Sequence, residues 1–189
     1  MTLAHLQSES QSGPRPRERP SGLVHVQMLR WPLQRAEAEC LEASGLPFLL
    51  LVGEKEAPPL SGYRFMDWVR SPVDPDELIA RHSSLEARFI LSEDGPRPYF
   101  DDESGRLTFV HSSIDVSPSQ VPLLREFVDA FREVVPEDRV RRVLGISADD
   151  SHEPLAGRLI RLRRRVRLVG LQITRVRTVG YALEPIPST

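Results

Sequence analysis

The residues in this chain best suited to chemistry are its arginines, and those between 151 and 183 are spaced to grip a polyanion. That segment holds arginine at 158, 161, 163, 164, 165, 167, 175 and 177 against one acid, Glu153. The chain nets −2, so with this segment at +7 the other 156 residues net −9. Separation of sign on that scale points to a polyanionic partner. Abundance alone does not, because Lys55 is the lone lysine among 25 cationic residues and codon usage produces such a bias without any partner. On a helical wheel of about 100° per residue, Leu155, Leu159, Leu162 and Val166 form one narrow apolar stripe. Gly157, Ile160, Arg161 and Arg164 point away from it, with Arg158 and Arg165 on its flank. Such a helix is clamped along one side and offers guanidinium groups along the other. An arginine's planar fork donates two bonds to guanine or grips one phosphate. Gly157 lets a groove floor come close. A solvated basic face is the plain alternative.

No other residues converge on a site. The histidines at 5, 25, 82, 111 and 152 are scattered, with no metal partner at helical or turn spacing. His111 lies in strand sequence and reads as a packed or edge residue. Glu93-Asp94 and Asp101-Asp102 fall in turn sequence and read as solvated. Cys40 is the single cysteine, unable to form an internal disulfide, and reads as a small core residue on the apolar side of its helix. Ser112 and Ser113 have only His111 beside them, and alternate strand residues face opposite ways. Nucleophile, base and oxyanion site do not assemble, so neither an enzyme nor a cofactor is expected.

The elements that must position the arginines can be read along the chain. Residues 1–20 are polar, end in GPRPRERP, and are expected to form a flexible tail. A small α/β unit over 21–90 follows: a strand at Leu23–Leu29, and a helix from Pro32 to Ser44 with Ala36, Cys40 and Leu41 on one side and Gly45 as its stop. Phe48–Val52 is a continuous apolar strand covered on both faces, Tyr63–Val69 is another strand, and Asp74 or Asp76 caps a short helix through Leu78, Ile79 and Leu85. From 96 to 186 the pattern changes. Arg97–Asp101, Arg106–His111 and Ile114–Val116 read as short strands parted by DDESG and SS turns. A helix from Ser117 or Ser119 to Val134 carries Leu124, Phe127, Val128 and Phe131 on one stripe, and Ser117-Pro118-Ser119-Gln120 fits a capping box. A short helix Pro136–Leu144 ends at Gly145, ISADDSHE is a loop, and a third helix covers Pro154–Leu168. Gly170 stops it, and Leu171–Val176 with Tyr181–Leu183 close a hairpin around Arg177-Thr178-Val179.

The run Leu162-Arg163-Arg164-Arg165, then Ile173-Thr174-Arg175-Val176-Arg177-Thr178-Val179-Gly180-Tyr181-Ala182-Leu183, resembles the end of OmpR/PhoB-family effector domains, which read RLRRKL…I.TVRG.GYRL. The resemblance extends back through VVPEDRVRRVLG and the helix at 117–134 to the strands from about residue 97, half of the chain. It implies that the third helix enters the major groove and that the hairpin's arginine enters or borders the minor groove. By position, major-groove contacts fall on Gly157, Ile160, Arg161 and Arg164, with Arg163 nearer the backbone; Arg177 takes the wing position beside Arg175. Thr178 stands where the family has glycine, which would bend the wing tip differently. The loop with Asp149-Asp150 reads as solvated surface, with a contact to RNA polymerase as the alternative the resemblance implies.

Upstream, Asp67-Trp68-Val69-Arg70-Ser71-Pro72-Val73-Asp74-Pro75-Asp76-Glu77-Leu78 is similar to the DYL.KPFDPEEL stretch of response-regulator receivers, followed by Ala80-Arg81 and Glu86-Ala87-Arg88. Ser71 replaces the phosphate-sensing lysine, Val52 replaces the switch hydroxyl, and the unit has half the usual receiver length. Aspartyl phosphorylation needs a metal held by clustered carboxylates, and no such cluster precedes Phe48.

The expected fold is therefore α+β, a winged helix-turn-helix behind a degenerate receiver-like domain. The expected function is sequence-specific, phosphorylation-independent regulation of transcription on double-stranded DNA, as a homodimer on repeated half-sites. Two alternatives remain: an interaction module that recruits a partner or polymerase and binds DNA without sequence preference, and a regulator sensing a small ligand beneath the Gly53–Gly62 loop. No apolar run approaches the roughly 20 residues a bilayer demands, and MTLAHLQSES lacks a secretory pattern. A cytoplasmic protein is expected.

Overall fold

The computed structural model describes residues 24–59, 62–147 and 153–187. The expected tail at 1–20 and the Asp149-Asp150 pair lie outside them.

The amino-terminal part is a three-stranded parallel sheet in the order β1-β2-β3, built from β1 (Gln27–Trp31), β2 (Phe48–Val52) and β3 (Met66–Arg70). The continuous apolar run of β2 is explained by its central place. Leu49 packs with Phe65, Leu85 and Phe89 on one face, while Phe48, Leu50 and Val52 pack with Leu29 and Ala38 on the other. Helix α1 (Arg35–Ala43) buries Ala38, so Cys40, about 200° further round, is exposed rather than in the core. Helix α2 (Pro75–Leu91) is capped by Asp74, whose carboxylate accepts from the Asp76 amide at 2.8 Å. The short helix expected here runs for 17 residues, because Leu85 and Phe89 continue its buried stripe to Ser92. Ile79, by contrast, is 63% exposed.

The remainder begins with an antiparallel sheet, β4 (Tyr99–Asp101), β5 (Arg106–Phe109) and β6 (Ser112–Asp115), in the order β4-β5-β6. Ser112 and Ser113 do not form the expected turn. They pair with Phe109 and Thr108, and the chain reverses at Val110-His111 with Val110 at φ +52°. His111, at that reversal, is an exposed residue 3.0 Å from Glu86 of α2 rather than a packed one.

Helix α3 (Val121–Asp129) is shorter than expected at both ends. Residues 117–120 form a preceding turn with no side-chain cap; the Ser117 hydroxyl meets the Gln120 side chain at 3.2 Å instead of a backbone amide. At the other end Arg132, at φ +69°, donates its amide to Leu183 O at 3.0 Å, and Val134–Pro136 becomes strand β7. Helix α4 (Glu137–Val143) ends at Gly145 and α5 (Glu153–Arg167) is followed by Gly170, both glycines at positive φ. The closing hairpin, β8 (Leu171–Val176) and β9 (Gly180–Pro185), joins β7 in the order β7-β9-β8. A Cβ at Gly180 would lie 2.0 Å from Val135 O, so β7 and β9 can approach only with glycine there. One core unites these elements: Leu107, Phe109, Leu123, Leu124, Phe127, Phe131, Val140 and the inner stripe of α5. The fold is mixed α/β with five helices among the described residues, its later half a winged helix-turn-helix.

Candidate nucleic-acid interface

Helix α5 is held by its apolar stripe. Leu155, Leu159, Leu162 and Val166 are each at most 1% exposed, which fixes which way the other residues face. Gly157, Arg158, Arg161, Arg164 and Arg167 are exposed, and Ile160 is 47% exposed. Arg158, Arg161 and Arg164 have no hydrogen-bond or ion-pair partner among the described residues. Three positive charges thus stand on a clamped helix with no acidic partner among the described residues.

The two flanks of α5 differ. On one flank the Arg165 guanidinium donates through Nε and Nη2 to the single carbonyl of Asp115, at 2.8 and 2.6 Å, tying the helix to β6. On the opposite flank Arg163 Nε donates to Ile173 O at 3.0 Å, and its guanidinium lies 5.7 Å from the Tyr181 ring centroid, tying the helix to the hairpin. Two of the α5 residues expected at the interface are therefore engaged inside the molecule, as braces between α5 and its neighbouring sheets. Sequence spacing shows which side of a helix a residue occupies, but not that a distant carbonyl waits there.

Arg158 and Arg161 line a notch of about 200 Å³ together with Ser117, Ser119, Gln120, Leu123 and Leu144. Residues of the 117–120 turn thus share a notch with the two arginines, a neighbourhood that sequence reading missed because it depends on tertiary packing. Among the described residues nothing lies within 4 Å of where a Gly157 Cβ would be.

On the hairpin Arg175 is 63% exposed, with Nη2 3.7 Å from Glu137 Oε2. The other oxygen of Glu137 accepts from buried Arg141 at 3.2 Å, so one carboxylate links α4 to the wing. The Glu137/Arg141 spacing of four was the available signal for that pair. Arg177 is exposed at the turn. Thr178 takes φ +61°, the left-handed backbone that glycine adopts without strain.

In the parallel sheet, Trp31, Val52 and Arg70 align in register at the carboxyl ends of the strands, the edge where α/β sheets hold ligands. The loop that follows β2 is tied to that edge. Arg70 Nη1 lies 3.0 Å from each of Gly53 O, Glu54 O and Glu56 O, and Trp31 Nε1 donates to Ala57 O at 3.0 Å. Among the described residues no group of three His, Cys, Asp or Glu side chains is placed to hold a metal, and no helix is long and apolar enough to cross a membrane.

No protein-family model and no curated protein matches the chain. Solved structures do. Its structural neighbours are response regulators. The C-terminal domain of the nisin resistance regulator NsrR is 21% identical, over 45% of this chain and 89% of that one, with a TM-score of 0.37. The DNA-binding domain of the response regulator AdeR, solved with an intercistronic region, is 14% identical over 47% and 94%, with a TM-score of 0.39. A mutant form of RitR is 15% identical over 84% and 79%, also at 0.39. Overlaps this loose do not carry residue roles from those proteins to this one.

Proposed function

We propose that this chain is a DNA-binding transcription regulator, acting through the winged helix of residues 96–186 and independently of phosphorylation of the unit at 21–90. The observation that carries the reading is the set of three arginines, Arg158, Arg161 and Arg164, that have no partner among the described residues and stand on a helix clamped by four buried residues. Helix α5 lies in the major groove. Arg161 and Arg164 reach base edges, where a good bidentate pair contributes about 1–3 kcal/mol of discrimination. Arg158, which shares a notch with Ser117 and Ser119, holds a backbone phosphate. Arg175 and Arg177 hold the backbone next to the wing, while Arg163 and Arg165 fix the angle of the helix. One such domain reads few base pairs, so two copies occupy repeated half-sites.

Selection from random duplexes, followed by fluorescence anisotropy across a salt series, tests this. Arg158→Ala should weaken all duplexes alike and lower the salt slope by about one unit. Arg161→Ala and Arg164→Ala should weaken the selected sequence more than random DNA. If the triple variant bound DNA as the parent does, the assigned face would be wrong. For the amino-terminal unit, a carboxyl edge bonded to its own loop, with Val52 and Ser71, supports a domain that takes no phosphoryl group. Incubation with a small phosphodonor and magnesium should leave the intact mass unchanged, and a phosphoaspartyl adduct would refute that part.

A further inference from the structure

Two residues on the outer face of α5 are poor choices for an exposed helix. Gly157 costs an interior helical position about 1 kcal/mol relative to alanine, and among the described residues nothing lies within 4 Å of a Cβ placed there. Ile160, one turn later and 47% exposed, is a branched apolar residue set among Arg161, Arg164 and Arg158. A lone exposed isoleucine needs no explanation. An isoleucine beside a glycine that no described residue crowds, on the face that carries Arg158, Arg161 and Arg164, has one in common with it: something apolar comes close there from outside. Within the major groove the apolar group on offer is the 5-methyl of thymine, since the rest of each base-pair edge presents donors and acceptors.

We infer that Ile160 is a specificity-determining residue that reads the 5-methyl group of a thymine, with Gly157 clearing the space for that contact. The inference rests on the DNA reading above. Arg164 follows Ile160 by four residues, one helical turn of about 5.4 Å against a base step of about 3.4 Å, so the thymine and the guanine taken by Arg164 lie about one to two base pairs apart. The site read by α5 therefore combines a thymine with a nearby G·C pair.

The test uses the full chain and its best duplex from a random selection, with each thymine replaced in turn by deoxyuridine, which removes only the methyl. One replacement should weaken binding about fourfold, the value of one buried methyl-sized group. The same replacement should have no effect on Ile160→Ala, and Ile160→Val should keep most of it. If every deoxyuridine duplex binds as tightly as its parent, or if Ile160→Ala remains equally sensitive, the inference is overturned while DNA binding stands. If no duplex is bound at all, the DNA reading itself falls and this contact with it.

Discussion

Gly157→Ala separates what α5 needs for its own stability from what an approaching duplex needs. A Cβ at 157 meets none of the described residues within 4 Å, so the substitution adds a methyl without a clash among them. The position lies inside α5, past its first turn, where alanine is favoured over glycine by about 0.8–1.0 kcal/mol. The variant should therefore be more stable, with a melting temperature about 2–4 °C higher for a chain of this size. Bound to DNA, the same methyl must be accommodated against a groove floor. Overpacking a close contact costs about 1–3 kcal/mol, or about 5- to 150-fold in affinity. Thermal unfolding and anisotropy titration of one preparation, at fixed salt, read both effects, and they should move in opposite directions. Unchanged affinity alongside a raised melting temperature would show that DNA does not approach this face. A lowered melting temperature would show that the space around Gly157 is not open.

Four further outcomes follow from the packing. Arg165→Ala removes the fork on Asp115 O and, for a half-exposed group, should cost about 1 kcal/mol in urea unfolding while leaving the salt slope of DNA binding unchanged; a reduced slope would make Arg165 a phosphate contact. Gly180→Ala places a Cβ 2.0 Å from Val135 O, and since neither backbone can yield, a loss of about 3 kcal/mol is expected; a neutral variant would mean β7 and β9 lie further apart. Thr178→Gly relieves a branched residue at φ +61° and should raise stability by about 0.5–1 kcal/mol after glycine's entropic cost. The Asp101 carboxyl is held below its ordinary 3.8 first by the Ser104 hydroxyl and then by the Glu103 amide. That contribution is present above pH 3.8 and is lost as pH falls through the lowered value. Ser104→Ala should move the carboxyl back up by NMR titration, and its stability deficit should close in acid; identical titrations would remove the hydroxyl as the cause.

Part of this protein was legible without coordinates, wherever neighbours in the chain settle the matter. The stripe at 155, 159, 162 and 166 needs only helical periodicity to define a buried side, and all four residues are buried. Gly45, Gly145 and Gly170 mark helix ends because left-handed backbone is a local property, and Phe48–Val52 declares a two-sided strand by having no polar alternation. The segments that escaped are those whose state is decided by a distant partner. Val134 reads as the end of one helix and Pro136 as the start of the next, yet β9, much later in the chain, draws Val134–Pro136 into a sheet. Arg163 and Arg165 look like further members of a basic face until Ile173 O and Asp115 O are found within reach. Cys40 sits beside an apolar neighbour in sequence, but α1 rests on the sheet through Ala38. Local propensity differs between states by a fraction of a kcal/mol per residue, whereas a strand pairing or a guanidinium–carbonyl bond contributes about 1 kcal/mol or more; where the two disagree, tertiary contact prevails.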